Sequence, residues 1–168
     1  MSNDFKWYAV YTNPRAEKKV AAELSKRGYT YYLPLQKTQK QWSDRKKWVE
    51  EPLFKSYLFI HTQIDSHYYE ILGIHGIVKF IRIGSEIATL RDSQIQDIKL
   101  ALEQTQNIEL SHDKIEGGTL VEVIAGPLKG RRGLVLEKSG NKYFSIEIEQ
   151  LTTTLLLSLP ANYLKISG

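Results

Sequence analysis

The chain has 168 residues, enough for one medium domain or two small ones, and at 42% hydrophobic and 25% charged it has the composition of an ordinary soluble globular protein. It has no cysteine, which excludes a disulfide framework and a Cys-based metal site; no apolar stretch stands behind a basic start, and apolar runs such as Leu155 to Leu157 with Leu159 are far shorter than a membrane span, so no secretory leader or membrane span is expected and the cytoplasm is the expected location. The formal net charge is +4, a modest excess that points to an anionic partner such as nucleic acid.

Lys6 to Thr12 is rich in aromatic and β-branched residues and reads as a strand. Asn13-Pro14 stops it and starts a helix, with Asn13 as N-cap and Pro14 at the first helical position. Ala16, Val20, Ala21 and Leu24 share one helical face, and Gly28 is the stop. Tyr29 to Leu33 is a second strand, ended by Pro34. The polar, basic segment 35–52 reads as a protruding hairpin or a long loop, with a turn at Ser43-Asp44. Phe54 to Thr62 is a third strand. Asp65 or Ser66 caps a short helix ending near Gly73, and Gly76 to Ile83 is a fourth strand. Asp92 or Ser93 caps a further helix, with Ile95, Ile98, Ala101 and Leu102 on one face. This order fits one antiparallel-containing sheet with helices on one face.

Residues 105–116 lack periodicity and read as a linker. Beyond it only strands are expected, at 119–124, 133–138, 143–149 and 154–159, with Tyr163 to Ile166 closing a small five-stranded barrel. Val121, Val123, Val135, Ile146 and Ile148 favour strand over helix there. The charge is divided unevenly: residues 1–104 carry 16 Lys/Arg against 12 Asp/Glu, and residues 105–168 carry 7 against 7. The basic excess therefore belongs to the first part.

No catalytic constellation is found. The spacing of His61 and His67 matches no metal motif, His75 and His112 stand apart, and all four read as surface histidines. Gly126-Pro127 to Gly130 lacks the phosphate-loop spacing, and its glycines suit tight turns. No cofactor is implied and an enzyme is not expected. In the third strand Leu58 and Ile60 share one face, and Tyr57 and Phe59 the other. With helices over the aliphatic side, Tyr57 and Phe59 lie on an uncovered face that Tyr11 can join, and an exposed aromatic patch marks a partner surface. From Gln36 to Lys55 six cations, Lys37, Lys40, Arg45, Lys46, Lys47 and Lys55, are interleaved with Trp42 and Trp48, against three acidic residues. Such a segment can hold phosphates with its cations and stack bases on its rings, or it is a solvated hairpin whose tryptophans pack on each other. Arg15, Lys18 and Lys19, at the start of the first helix, extend the nucleic-acid face.

An alternating strand from Thr119, the turn Gly126-Pro127, then Gly130 and Gly133 leading into a second alternating strand, form the glycine pattern of a KOW motif. Together with Trp7-Tyr8-Ala9-Val10-Tyr11 before a helix and the run Pro52 to Ile60, it resembles the NusG family of transcription elongation factors over nearly the whole chain. The resemblance implies an α+β fold: an NGN-like polymerase-binding domain at 1–104, a linker at 105–116 and a five-stranded KOW β-barrel at 117–168. It implies that Tyr11, Phe54, Tyr57 and Phe59 contact the clamp helices of bacterial RNA polymerase. It also implies that the basic region (Arg15, Lys18, Lys19, Lys37, Lys40, Arg45, Lys46, Lys47) contacts exposed non-template DNA. The barrel would recruit the ribosome or a termination factor, and a monomer with no membrane partner is expected. Two departures stand out. The family's usual Pro-Gly before the central tyrosine is Lys55-Ser56, and the Phe-Gly-Arg-x-Thr-Pro stretch of the general factor is replaced by the run Ile148 to Thr154. The chain thus looks like a specialised paralog, similar to RfaH or the UpxY antiterminators, which act on chosen operons. The rivals are the housekeeping elongation factor of the same family and a ribosomal or other RNA-binding KOW protein.

Overall fold

The computed structural model describes residues 4–113 and 117–167. By its internal contacts the chain divides into two units, 1–92 and 93–168. The first contains β1 (Lys6–Thr12), α1 (Glu17–Lys26), β2 (Thr30–Tyr32), β3 (Leu35–Gln41), β4 (Lys46–Pro52), β5 (Tyr57–Thr62), α2 (Ile64–Leu72), β6 (Ile77–Phe80), β7 (Arg82–Ile83), β8 (Glu86–Ile87) and β9 (Thr89–Leu90). Its main sheet runs β2-β5-β1-β6, with β9 also on β1, and every pairing is antiparallel. Tyr8 and Val10 of β1 and Leu58 and Ile60 of β5 pack with Val20 and Leu24 of α1 and Ile71 of α2. These helices therefore cover the aliphatic face, as the period-2 and period-3.6 patterns require.

Gly28 ends α1 as expected. At φ +81° its N–H donates to the Ser25 carbonyl (3.0 Å), and Tyr29 N–H donates to Leu24 (2.9 Å), which satisfies the last carbonyls of the helix. The start of α1 differs from expectation. Asn13 is not the cap; its carbonyl accepts Ala16 N–H at 3.1 Å, and Ala16 is the N-cap. Arg15, at φ +62°, is left-handed, so the helix cannot begin before it. Asp65 and Ser66 likewise lie inside α2, whose N-cap is Gln63. The expected strand 76–83 is two strands, β6 and β7, and β7 pairs with β8 instead of joining the main sheet.

The second unit contains α3 (Asp92–Gln104), β10 (Glu109–Ser111), β11 (Thr119–Val123), β12 (Arg132–Lys138), β13 (Asn141–Ile148), β14 (Thr153–Leu157) and β15 (Leu164–Ile166). One antiparallel sheet runs β10-β14-β13-β12-β11-β15. That is one strand more than the expected five. The extra strand, β10, comes from the expected linker: Glu109, Leu110 and Ser111 pair with Leu156, Leu155 and Thr154. Linker residues 114–116 lie outside the described residues. The boundary also differs. α3, expected in the first domain, is tied to the segments that flank the second unit's strands: Asp97 to Arg131, just before β12, by an ion pair, and Gln94 to Gln150, between β13 and β14, by two amide hydrogen bonds (2.9 and 3.1 Å). Gly133, expected at the start of a strand, lies within β12. A Cβ there would stand 2.8 Å from the Phe144 ring and 2.9 Å from the Ser145 carbonyl, so close cross-strand packing explains this glycine. Among the described residues no helix is long and apolar enough to cross a membrane.

Candidate functional site

The face of the main sheet opposite the helices carries aromatic rings in register. Tyr11 stands opposite Tyr57, Ala9 opposite Phe59, and Trp7 opposite His61; on the other flank of β5, Tyr32 stands opposite Phe59. Small Ala9 leaves room for the Phe59 ring. The Tyr11 and Tyr57 rings are 5.3 Å apart, and Lys79 Nζ lies 5.9 Å from the Tyr11 centroid, within reach of a cation–π contact. Tyr32 stacks on Phe59 at 6.3 Å, Phe54 meets Phe59 edge-on at 5.9 Å, and Trp7 meets His61 at 4.9 Å.

The expected uncovered patch is only partly uncovered. Tyr11 and Tyr57 are half-buried, but Phe59 is 0% and Phe54 3% exposed. Phe59 occupies the middle of the central strand, with the rings of Phe54 and Tyr32 against it, and so serves as packing. The accessible part is Tyr11, Tyr57 and Lys79: two phenol hydroxyls and an ammonium over an aromatic base. Burial raises the Tyr57 pKa, and Tyr11 adds to it; burial alone pushes Tyr32 to about 12. The Tyr57 and Tyr32 hydroxyls are therefore neutral donors near pH 7.

The turn before β5 holds Tyr57 in place. Tyr57 N–H donates to the Phe54 carbonyl at 3.2 Å, and Ser56 has φ +68°. A positive φ at the third position is the geometry of a type II turn, which favours Pro-Gly at its centre. Lys55-Ser56 fills it here, clamped by the buried Glu17 carboxylate on Ser56 N–H (3.2 Å) and by Thr12 N–H on the Ser56 carbonyl (2.8 Å).

Of the two forms expected for the basic segment, a hairpin or a long loop, it takes the hairpin. β3 and β4 form their own two-stranded sheet, closed by Trp42 N–H donating to the Arg45 carbonyl at 2.7 Å. Lys37, Lys40, Arg45, Lys46 and Lys47 are all exposed. Lys40 is neutralised by Glu51, whose pKa is lowered chiefly by its hydrogen bond to that ammonium. Trp42 is 52% and Trp48 65% exposed. Lys18 Nζ donates to the Glu50 carbonyl at 2.8 Å, which brings the start of α1 beside the hairpin. Arg15 and Lys19 are exposed on the same helix start. The two basic groups, separate in sequence, thus meet in space.

Three features escaped the sequence reading: Lys79, Tyr32 and the Trp7–His61 pair. Their signal is strand register, which pairing reveals and composition does not. Two histidines expected at the surface are partly buried: His61 lies against Phe5 and Trp7, and His67 Nδ1 is 3.2 Å from the Tyr29 hydroxyl. Among the described residues no group of three or more His, Cys, Asp or Glu side chains is placed to hold a metal ion.

The family model described as "Transcription termination factor nusG" matches residues 5–99, more than half of the chain. The chain belongs to the NusG family. The transcription termination/antitermination protein NusG of Streptococcus pyogenes serotype M3 is 25% identical over 154 residues, covering 84% of this chain and 85% of the relative; that of serotype M1 matches equally. A solved structure of Thermotoga maritima NusG, determined for its domain interaction, covers 98% of both chains with a TM-score of 0.59 and 19% identity, which speaks to a NusG fold. The run Ile148 to Thr154, where the general factor's Phe-Gly-Arg stretch would fall, includes a 3-10 turn at Glu149–Leu151 and Thr152 at φ +51°.

Proposed function

We propose that this NusG-family transcription factor acts on chosen operons, docking on the clamp of bacterial RNA polymerase and contacting exposed non-template DNA to suppress pausing or termination. The observation that carries the reading is the accessible Tyr11–Tyr57–Lys79 cluster on the same unit as the basic hairpin. The cluster offers a partner aromatic area, hydroxyl donors and one cation; the hairpin and the α1 start offer phosphates a field of cations. Phe54 and Phe59 support the docking residues from beneath. No chemical step is needed: tighter binding to the moving polymerase than to the paused one shifts the equilibrium by that difference. The polymerase-binding role falls to the NGN-like domain, expected at 1–104, and the C-terminal sheet recruits the ribosome or a termination factor.

Operon specificity is supported by Lys55-Ser56 and by the altered run Ile148 to Thr154, two departures from the general pattern. The test is a purified bacterial elongation complex on a template with a defined pause. The full chain is expected to shorten the pause, and Tyr11→Ala with Tyr57→Ala to abolish the effect. Chromosome-wide occupancy of the tagged protein on a few transcription units supports the specialised role; occupancy on most of them makes it a housekeeping factor.

A further inference from the structure

We infer that the β3–β4 hairpin is a stacking platform for single-stranded nucleic acid, with Trp48 as its principal base-binding ring. This rests on the reading that this unit meets nucleic acid and adds the form of the strand and the residue that holds it. Two tryptophans more than half exposed in one hairpin are unusual, because indole is mostly buried in folded chains. The ladder sorts them. Trp48 lies opposite Gln39; on the same face, two positions along the ladder, lie Lys46 with Gln41 toward the turn and Lys37 with Glu50 toward the base. That face presents an open ring flanked by amides and cations. Lys40 and Lys47 oppose each other on the other face, a repulsive pair relieved where Lys40 turns to Glu51.

Charge selects the partner. Arg45, Lys46 and Lys47 form no ion pair among the described residues, and they surround the turn that carries Trp42. Glu51 is occupied by Lys40, and Lys18 is anchored on the Glu50 carbonyl, so the cations of the tip remain for phosphates. A flat indole beside free cations suits a strand whose bases are unstacked and whose backbone runs alongside. In a duplex the base faces are already stacked and closed to an indole. The arm is long enough to reach a strand beyond the unit's surface: seven-residue strands span roughly 20 Å.

The experiment uses the full chain and its own tryptophan fluorescence. The probes are a thymidine oligonucleotide of about twelve residues and a duplex of the same length, titrated at several salt concentrations. The single strand is expected to quench fluorescence and to bind more tightly than the duplex. Trp48→Ala should weaken binding about tenfold with the salt slope unchanged. Replacing Arg45, Lys46 and Lys47 with glutamine should flatten the slope by up to about two units while the quench persists at saturation. Equal or tighter duplex binding, or unchanged single-strand affinity in Trp48→Ala at an unchanged melting temperature, overturns the inference. The same variants are then measured on the elongation complex. If Trp48→Ala binds oligonucleotide like the wild type while the glutamine variant loses elongation-complex affinity, stacking is wrong and the proposed function stands. If the wild-type chain binds oligonucleotide with Trp48 dependence but has no affinity for the elongation complex, stacking stands and the proposed function fails.

Discussion

Ser56 adopts a left-handed backbone at φ +68° in the turn that delivers Tyr57 to the sheet, and a side chain there is strained. Ser56→Gly should therefore stabilise the protein by about 0.5–1 kcal/mol, the left-handed penalty less the added freedom of glycine in the unfolded chain. A shift of the urea midpoint to higher concentration at constant slope checks it; a lower midpoint means that the clamps on Ser56 already remove the strain. Gly133 behaves in the opposite sense. Gly133→Val should cost about 1–3 kcal/mol, because the new atoms collide with Phe144 and the Ser145 carbonyl. The need for glycine at 133 was legible in the sequence, but its cause was not. The glycine spacing placed it at the start of a strand; the cause is a ring on the neighbouring strand, visible only once β12 and β13 are paired. The burial of Phe59 was hidden for the same reason. Alternation told which face it occupied and nothing of what lay against that face.

At the scale of the element, β5 joins stability to the docking surface. Phe59→Ala should cost about 3–5 kcal/mol, since it empties a fully buried ring site in the central strand. It would test folding more than docking, so the half-buried Tyr57 is the better probe. The tyrosines also set an alkaline limit. The folded-state pKa values of Tyr29 and Tyr32 are raised from 10.0 to about 12, by burial in both and in Tyr29 also by a hydrogen bond to Glu70. With the folded pKa above the unfolded one, their contribution is fully present below pH 10 and is lost as pH rises from 10.0 through about 12. The urea midpoint should fall across that window, and less steeply in Tyr32→Phe. Long periodic segments such as α1 and α3 were legible because pattern and length agree, and the β3–β4 hairpin because a turn signal sits in a polar segment of sufficient length. Helix starts were not: at α1 the left-handed Arg15 overrides the Asn-Pro signal. β10 was also missed, because three residues are too few to alternate and its pairing partner lies more than forty residues away.

For the whole molecule, the structural division sharpens the charge asymmetry. Residues 1–92 hold 15 Lys/Arg against 10 Asp/Glu, net +5, and residues 93–168 hold 8 against 9, net −1. Every proposed docking and nucleic-acid residue falls in the basic unit. The second unit should fold alone as 93–168, and this fragment should resist urea better than 117–168, which lacks α3 and β10; equal midpoints would show that the helix adds nothing to the sheet. The most direct measurement of the central claim is the affinity of the full chain for purified bacterial RNA polymerase, wild type against Tyr57→Ala, with matched melting temperatures. Loss of a central aromatic anchor costs about 2 kcal/mol, so the account predicts affinity lowered about 30-fold. Equal affinity of the two proteins, or no binding by either, contradicts it.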